Sequence, residues 1–286
     1  MNIWIEGARP KTLIISLSPV LIGSVIALDR GFFDLLIFAL TILCACSIQI
    51  GTNFTNDYCD FYKGADTEKR KGPRRLTQSG IISPQRVKKA AICSFACAIL
   101  CAVYLMMVGG WIIGFLTVLS VLFGYLYTGG PCPLSYLGIA DFFVLIFFGP
   151  IAVAGTTYLQ ANQLLIISII AGFAPGLIAT AILTSNNLRD VNEDRIANKK
   201  TLTVRFGLVF GRLEYAACLC IAGLIPVLLV TLTKAHYGCL LTSVSWIFIW
   251  PLIKHAHCAK HSHSLIVQTG KWMALYTALF LIGWCL

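Results

Sequence analysis

Residues 164–184 contain no Asp, Glu, Lys or Arg, and theirs is one of several such runs along the chain. About twenty apolar residues in a helix reach across the hydrocarbon core of a bilayer. Inside that core every backbone N–H and C=O must find its partner within the protein, so only helices and closed barrels can cross. A barrel alternates apolar and polar residues over about ten positions, whereas these runs are continuous. The fold class is therefore all-α, a polytopic membrane protein. Composition agrees: 58% of the 286 residues are hydrophobic and 12% are charged. That is half of the roughly 25% charge of a soluble domain, and mean hydropathy is +0.82.

Nine transmembrane helices are expected, at 12–28, 33–55, 87–108, 111–127, 137–156, 164–184, 213–232, 237–253 and 272–286. They consume most of the chain, so residues 1–286 are expected to form a single transmembrane domain. Residues 1–11 lack a short apolar core followed by a cleavage site, so no cleavable signal peptide is expected. Orientation offers an independent check. With the N-terminus cytoplasmic and the C-terminus on the opposite side, only Arg30 and Lys234 of the 22 Lys and Arg fall outside. The positive-inside rule demands such a bias, and a miscounted span would scramble it. The net charge of +10 then belongs to one membrane face and does not argue for nucleic acid.

Twelve cysteines invite a metal or redox reading, but most lie inside apolar runs and no CxxC pair occurs. There Cys acts as a small hydrophobe. His255, His257, His261 and His263 cluster with Cys258 in a Lys-rich connection, which reads as a solvated loop.

Two inside connections hold seven of the twelve acidic residues: Asp57, Asp60, Asp66 and Glu68 in one, Asp190, Glu193 and Asp194 in the other. Asn53, Asn56, Asp57 and Asp60 stand at i, i+3, i+4 and i+7, one face of a helix that continues past its span. Asn187, Asp190 and Asp194 stand at i, i+3 and i+7. The separation that carries Asn56 onto Asn186 also carries Asp60 onto Asp190. Leu76-Thr77 before Gly80 resembles Leu202-Thr203 before Gly207. This is a weak internal repeat, and two repeated helices facing one another converge their carboxylates on one cavity, opening toward the cytoplasmic face. Crowded carboxylates need a cation. Carboxylates and Asn carbonyls suit Mg²⁺, which is commonly shared with substrate phosphates. Lys63, Arg70, Arg74, Arg75, Lys199 and Lys200 lie nearby to hold phosphate oxygens. Acids that merely paired with basic neighbours on wet helix ends would not need two matching motifs.

A diphosphate at the interface with an apolar interior behind it implies a lipid diphosphate. Loss of diphosphate from an allylic lipid leaves a carbocation, which a dry cavity with aromatic faces protects. Tyr58, Tyr62, Tyr125, Tyr127 and Tyr136 fall near the cytoplasmic ends of spans, where an ordinary interfacial aromatic belt would also put them.

The motifs Asn56-Asp57-x-x-Asp60 with Asp66, and Asp190-x-x-x-Asp194, resemble those of the UbiA-type intramembrane prenyltransferases. The likeness extends over nearly the whole chain. It includes Arg9-Pro10-Lys11-Thr12, Lys63-Gly64, Gly72-Pro73-Arg74-Arg75, Tyr127-Thr128-Gly129-Gly130-Pro131, Phe147-Phe148-Gly149-Pro150 and Lys199-Lys200-Thr201-Leu202. The resemblance implies nine helices around a cavity, use of Mg²⁺, and transfer of a polyprenyl chain to an aromatic acceptor in a bacterial plasma or inner membrane. The six-residue step from Asp60 to Asp66 is similar to the branch acting on 1,4-dihydroxy-2-naphthoate. For that branch the ring carbon bearing the carboxylate attacks the prenyl cation, CO₂ leaves, and demethylmenaquinone forms.

By the same resemblance Asp57, Asp60, Asp66, Asp190 and Asp194 would hold Mg²⁺ and diphosphate, helped by Asn53, Asn56 and Asn187. Lys63, Arg74, Arg75 and Lys199 would clamp the diphosphate, with Arg9, Tyr125 and Tyr127 toward the acceptor or the cation. At position 141 the resemblance leads one to expect Glu, and Asp stands there. Two alternatives stay open: a related transferase acting on 4-hydroxybenzoate, homogentisate or a haem, and a secondary transporter, whose coupling acids should lie nearer the bilayer midplane.

Overall fold

A computed structural model describes residues 3–64, 74–257 and 263–286 of the chain. Among these there is no strand. Asp66, Arg70, Cys258 and His261 lie outside the described residues, as does the His263 side chain.

The helices run α1 (Ile3–Ala8), α2 (Ile14–Asp29), α3 (Leu35–Tyr62), α4 (Pro84–Gly109), α5 (Trp111–Leu126), α6 (Leu134–Leu137) and α7 (Ala140–Ile146). After a π-turn at Phe147–Ile151 come α8 (Ala152–Ala161), α9 (Ile166–Ile196) and α10 (Leu202–Thr233). A 3-10 stretch, Tyr237–Phe248, leads into α11 (Ile249–His257), and α12 (His263–Cys285) ends the chain. Each of the nine expected spans falls on helix. Seven segments are long and apolar enough to cross a membrane. The first expected span falls on α2, which forms with the preceding Ile3–Thr12 a pair of helices bent by 50°, and the fourth, α5, is a shorter apolar helix. The protein is a multi-pass membrane protein.

Its outer surface is apolar: Leu100, Met107, Trp111 and Ile247 are each more than 70% exposed, acceptable only against lipid. The interior carries polar side chains, among them Ser18, Thr157, Thr184 and Thr277, all buried. Many of these return a hydroxyl to a backbone carbonyl, as Thr157 does to Gly23 O at 2.9 Å. The largest apolar core joins α2, α9, α10 and α12, with Tyr215, Tyr276 and Phe280 fully buried in it. Small residues let backbones approach. A Cβ on Gly149 would meet Gly172 O at 2.7 Å, so α9 crosses the Gly149-Pro150 kink directly.

The structure lengthens three expected segments. Polar helix continues from position 55 to Tyr62 and from position 184 to Ile196, carrying both acidic motifs beyond the apolar runs as their spacing requires. The segment expected to begin at Leu213 is preceded by a short helical piece that starts at Leu202, where Thr201 accepts Val204 N–H, and α10 is broken at Gly207, φ 88°. Glu214 lies about two turns after that break, its Oε2 buried without a hydrogen bond. Window hydropathy locates apolar cores, and here the polar ends of the helices lie inside the protein.

Candidate active site

The motif-bearing ends of α3 and α9 face one another across a cavity of about 220 Å³. From α3 come Gln49, Asn53, Asn56 and Asp60, and from α9 come Asn186, Asn187, Asp190, Glu193 and Asp194. Arg9, Arg75, Tyr127, Thr128 and Lys199 complete the polar end. Ile15, Val144, Phe148, Ala179, Ile182, Leu183 and Ile266 form an apolar wall.

The carboxylates are met by cations already in place. Arg75 Nη2 lies 3.0 Å from Asp60 Oδ2, with both side chains buried. Lys199 joins the two motifs, its Nζ 3.4 Å from Asp60 Oδ1 and 4.0 Å from Asp194 Oδ1. Arg189 grips Asp190 through Nε at 2.6 Å and also through Nη2, which donates to Asn186 Oδ1 at 2.6 Å. A bidentate fork of this kind fixes geometry as well as charge.

Arg9 stands at the break between α1 and α2 with φ 53°, a left-handed backbone unusual for a residue with a Cβ. Neighbouring polar groups hold it. Asn53 Nδ2 donates to Ala8 O at 2.9 Å and to Thr12 Oγ1 at 3.1 Å, and Thr12 Oγ1 donates to Arg9 O. Asn53 is thus engaged with the broken first span. Asn56 Oδ1 accepts from the Thr128 hydroxyl at 2.5 Å, tying α3 to the connection after α5.

Several expected residues sit apart from the cavity. Asp57 is buried, but its carboxylate turns to the 74–80 segment and accepts Leu76 N–H at 2.8 Å and Thr77 N–H at 3.0 Å. Lys63 donates to Thr128 O at 2.5 Å and lies 4.9 Å from the centre of the Tyr136 ring. Burial lowers its ammonium below the usual lysine range. Arg74 and Tyr125 are exposed. Asp66 lies outside the described residues.

Sequence reasoning missed Arg189, Thr128 and Gln49. Gln49 was legible: with Asn53, Asn56 and Asp60 it forms one polar stripe in helical register. Arg189 stands between Asn186 and Asp190, and its spacing alone does not distinguish it from a solvated base at a helix end.

Two phenols flank the acids. Removal from water, then Asp141, Asp194 and Asp60, push Tyr127 well above the usual tyrosine range. Burial, then Asp60 and Asp194, push Tyr136 up to about 12. Both stay neutral, offering ring faces and a hydroxyl donor.

The donor set fits Mg²⁺ held together with a phosphate. Among the described residues no three acidic, His or Cys side chains converge closely enough to hold a metal alone. Mg²⁺ shared with a phosphate needs only one or two carboxylates and waters. Asp60 Oδ1 is buried without a hydrogen bond and faces the Lys199 ammonium at 3.4 Å, a hard oxygen whose lone pairs an ion could share.

The sequence pattern of the UbiA prenyltransferase family matches residues 16–275. The chain is similar to 1,4-dihydroxy-2-naphthoate octaprenyltransferase of Escherichia coli K12, 36% identical over 98% of this chain and 94% of that one. It is similar also to the protein of the same name from Mycobacterium tuberculosis, 36% identical over 80% and 78%. The fold is that of a UbiA homologue from Archaeoglobus fulgidus solved with DMAPP and Mg²⁺, at TM-score 0.66, 16% identity and 99% of both chains. The homologue from Aeropyrum pernix, solved without ligand, gives TM-score 0.73 at 14% identity over 96% and 97%. The two opposed acidic helix ends and the match along the chain lead to one conclusion: the chain belongs to the UbiA prenyltransferase family.

Proposed function

We propose that the protein transfers a polyprenyl chain from an allylic polyprenyl diphosphate to 1,4-dihydroxy-2-naphthoate, with loss of CO₂ and of diphosphate, giving the quinol form of demethylmenaquinone. The observation that carries the reading is Lys199, which bridges Asp60 of one motif and Asp194 of the other over a cavity that turns apolar behind them. The names of the relatives from E. coli and M. tuberculosis support the acceptor.

Asp60, Asp190 and Asp194, with Asn56, Asn187 and Asp66, would hold Mg²⁺ against the diphosphate. The ion supplies Lewis-acid stabilisation of the leaving diphosphate when bound. Arg75 and Lys199 reach the cavity to bind the same oxygens, and Lys63 and Arg74 add positive charge at its edge. Tyr127 and Phe148 offer ring faces to the developing cation. Water is kept from that cation by Val144, Ile182 and Leu183. Arg9 lies across the cavity to receive the acceptor's carboxylate.

The same reading takes residues 1–286 as a single domain with nine crossings, counting the bent first pair and the short α5 as one each. The Lys and Arg distribution supports a cytoplasmic N-terminus and cavity mouth, with the C-terminus on the far side of a bacterial plasma membrane.

The test is transfer of radiolabelled prenyl groups by purified protein in detergent, offering the naphthoate and 4-hydroxybenzoate separately. CO₂ and a prenylated naphthoquinol should form with Mg²⁺ and vanish with EDTA. Transfer to the benzoate alone would reassign the acceptor, and transfer to neither would overturn the proposal.

A further inference from the structure

We infer that Asp57 is a positioning residue: it fastens the 74–80 segment to α3, holds Arg75 against Asp60 through that segment, and is not a metal ligand. The inference rests on the prenyl-transfer reading of the cavity and assigns Asp57 a different task from its neighbours in the motif.

Helical register already separates Asp57 from the others. At about 100° per residue, Asn53, Asn56 and Asp60 fall within an arc of about 60°, and Asp57 lies about 40° beyond Asn53 on its far side. The first three line the cavity and Asp57 does not. Asp57 is 2% exposed, and both of its oxygens are engaged. Oδ2 accepts Leu76 N–H at 2.8 Å and Oδ1 accepts Thr77 N–H at 3.0 Å. The Thr77 hydroxyl is within reach of Oδ1 and of the Asp57 carbonyl oxygen, 3.0 Å away. A carboxylate holding two buried amides and a hydroxyl has its charge satisfied, and coordinating a cation would strip those amides of their partner.

The fastened segment is rigid around Arg75. Leu76 is fully buried against Phe54 and Gly7, where an added Cβ would lie 2.4 Å from Leu76 Cδ1. Ile82 N–H closes onto Leu76 O at 3.2 Å and Gly80 N–H onto Thr77 O at 3.0 Å. Arg75 immediately precedes the two amides that Asp57 accepts, so its backbone is set by them. From there its guanidinium reaches Asp60 Oδ2 at 3.0 Å. The chain of placement runs from Asp57 through Leu76 and Thr77 to Arg75.

The experiment compares Asp57→Asn, Thr77→Val, Arg75→Ala, the double variant Asp57→Asn/Arg75→Ala, and Asp60→Asn. Three quantities are read: KM for prenyl diphosphate, the Mg²⁺ concentration giving half-maximal rate, and the rise in Tm on adding Mg²⁺ with inorganic pyrophosphate. Asp57→Asn should raise KM about tenfold and leave the Mg²⁺ midpoint within about twofold, because it acts through Arg75. The double variant should be no worse than Arg75→Ala, as expected of residues in one chain of action. Asp60→Asn should shift the Mg²⁺ midpoint and abolish the rise in Tm. If Asp57→Asn does not fold, Thr77→Val keeps the carboxylate, loosens the same segment and should repeat the KM effect with the midpoint unmoved. A Mg²⁺ midpoint or Tm response altered in Asp57→Asn as in Asp60→Asn would overturn the inference, as would effects of Asp57→Asn and Arg75→Ala that multiply. Wild-type protein that transfers nothing would overturn the prenyl-transfer reading, while the pyrophosphate Tm comparison would still decide the role of Asp57.

Discussion

The two acidic helix ends reach one chemical result by different routes. On α9, Asp190 is neutralised by the residue beside it: Arg189 shares its turn, forks onto both carboxylate oxygens and anchors on Asn186. On α3, Asp60 is neutralised by Arg75, which belongs to another segment and must be delivered. The half that imports its arginine also carries Asp57 to fasten the importing segment. In the other half the aligned residue is Asn187, which lines the cavity. The aligned threonine, Thr203, has its hydroxyl buried without a hydrogen bond. The backbones differ. Leu76 and Thr77 lie in a turn and give both amides to Asp57, whereas Leu202 and Thr203 open α10, where Thr201 accepts Val204 N–H. Gly80 and Gly207 follow at φ 69° and 88°, left-handed positions that glycine occupies without strain, so the repeat survives in the turn after the motif.

If both ends serve the same diphosphate, removing either central carboxylate should have the largest effect. Asp60→Ala and Asp190→Ala are each expected to lower kcat/KM for prenyl diphosphate by about 10³, the scale of losing one main electrostatic group of a transition state. Radiolabelled transfer with each variant reads this directly. A large loss in one and none in the other would break the equivalence of the halves.

The arginines should separate where the aspartates do not. Arg189→Ala leaves a buried Asp190 with no other ion-pair partner among the described residues, and loss of one partner of a buried pair destabilises by about 3 kcal/mol. Arg75→Ala leaves Asp60 with Lys199 at 3.4 Å, so its expected effect on stability is smaller and its effect on KM greater. Thermal unfolding in detergent, set beside KM for each variant, distinguishes the two. Equal losses of Tm would mean that Arg75 is as structural as Arg189. Lys199→Ala removes the cation shared between the halves and should raise KM about tenfold while moving Tm less than Arg189→Ala.

Much of this asymmetry could not be read from spacing. Period 3.6 put Asn53, Asn56 and Asp60 on one face of α3, and Asn187, Asp190 and Asp194 on one face of α9, and the structure agrees. Positions about 40° apart on a helix share a face by that rule, which groups Asp57 with its neighbours. Its partners lie nineteen and twenty residues away in sequence, a tertiary contact with no local signal. The kink at Gly149-Pro150 is visible as residues but not as geometry, because a proline can also sit inside a helix whose backbone angles stay helical, as Pro19 does within α2. Helices run past their apolar windows where their ends stay polar inside the protein, as at Tyr62 and Ile196.

The smallest effect tests the bridge between the halves at its aromatic side. Lys63 Nζ and Lys199 Nζ lie 4.9 and 5.5 Å from the centre of the Tyr136 ring, one from each half of the molecule. A ring face attracts such cations with about 0.5–1 kcal/mol each at partly exposed sites. Tyr136→Phe keeps that face. The phenol it removes is pushed up to about 12 by burial and by Asp60 and Asp194, so it is neutral at working pH and its loss changes no charge. KM for prenyl diphosphate should stay within about twofold, and the pH–rate profile should be unmoved below about pH 10. Tyr136→Leu keeps an apolar side chain, though a smaller one, without a quadrupole and should raise KM about threefold by loosening Lys199. The same rise in Tyr136→Phe would assign the contact to the hydroxyl, leaving Lys199 to bridge the halves through Asp60 and Asp194 alone.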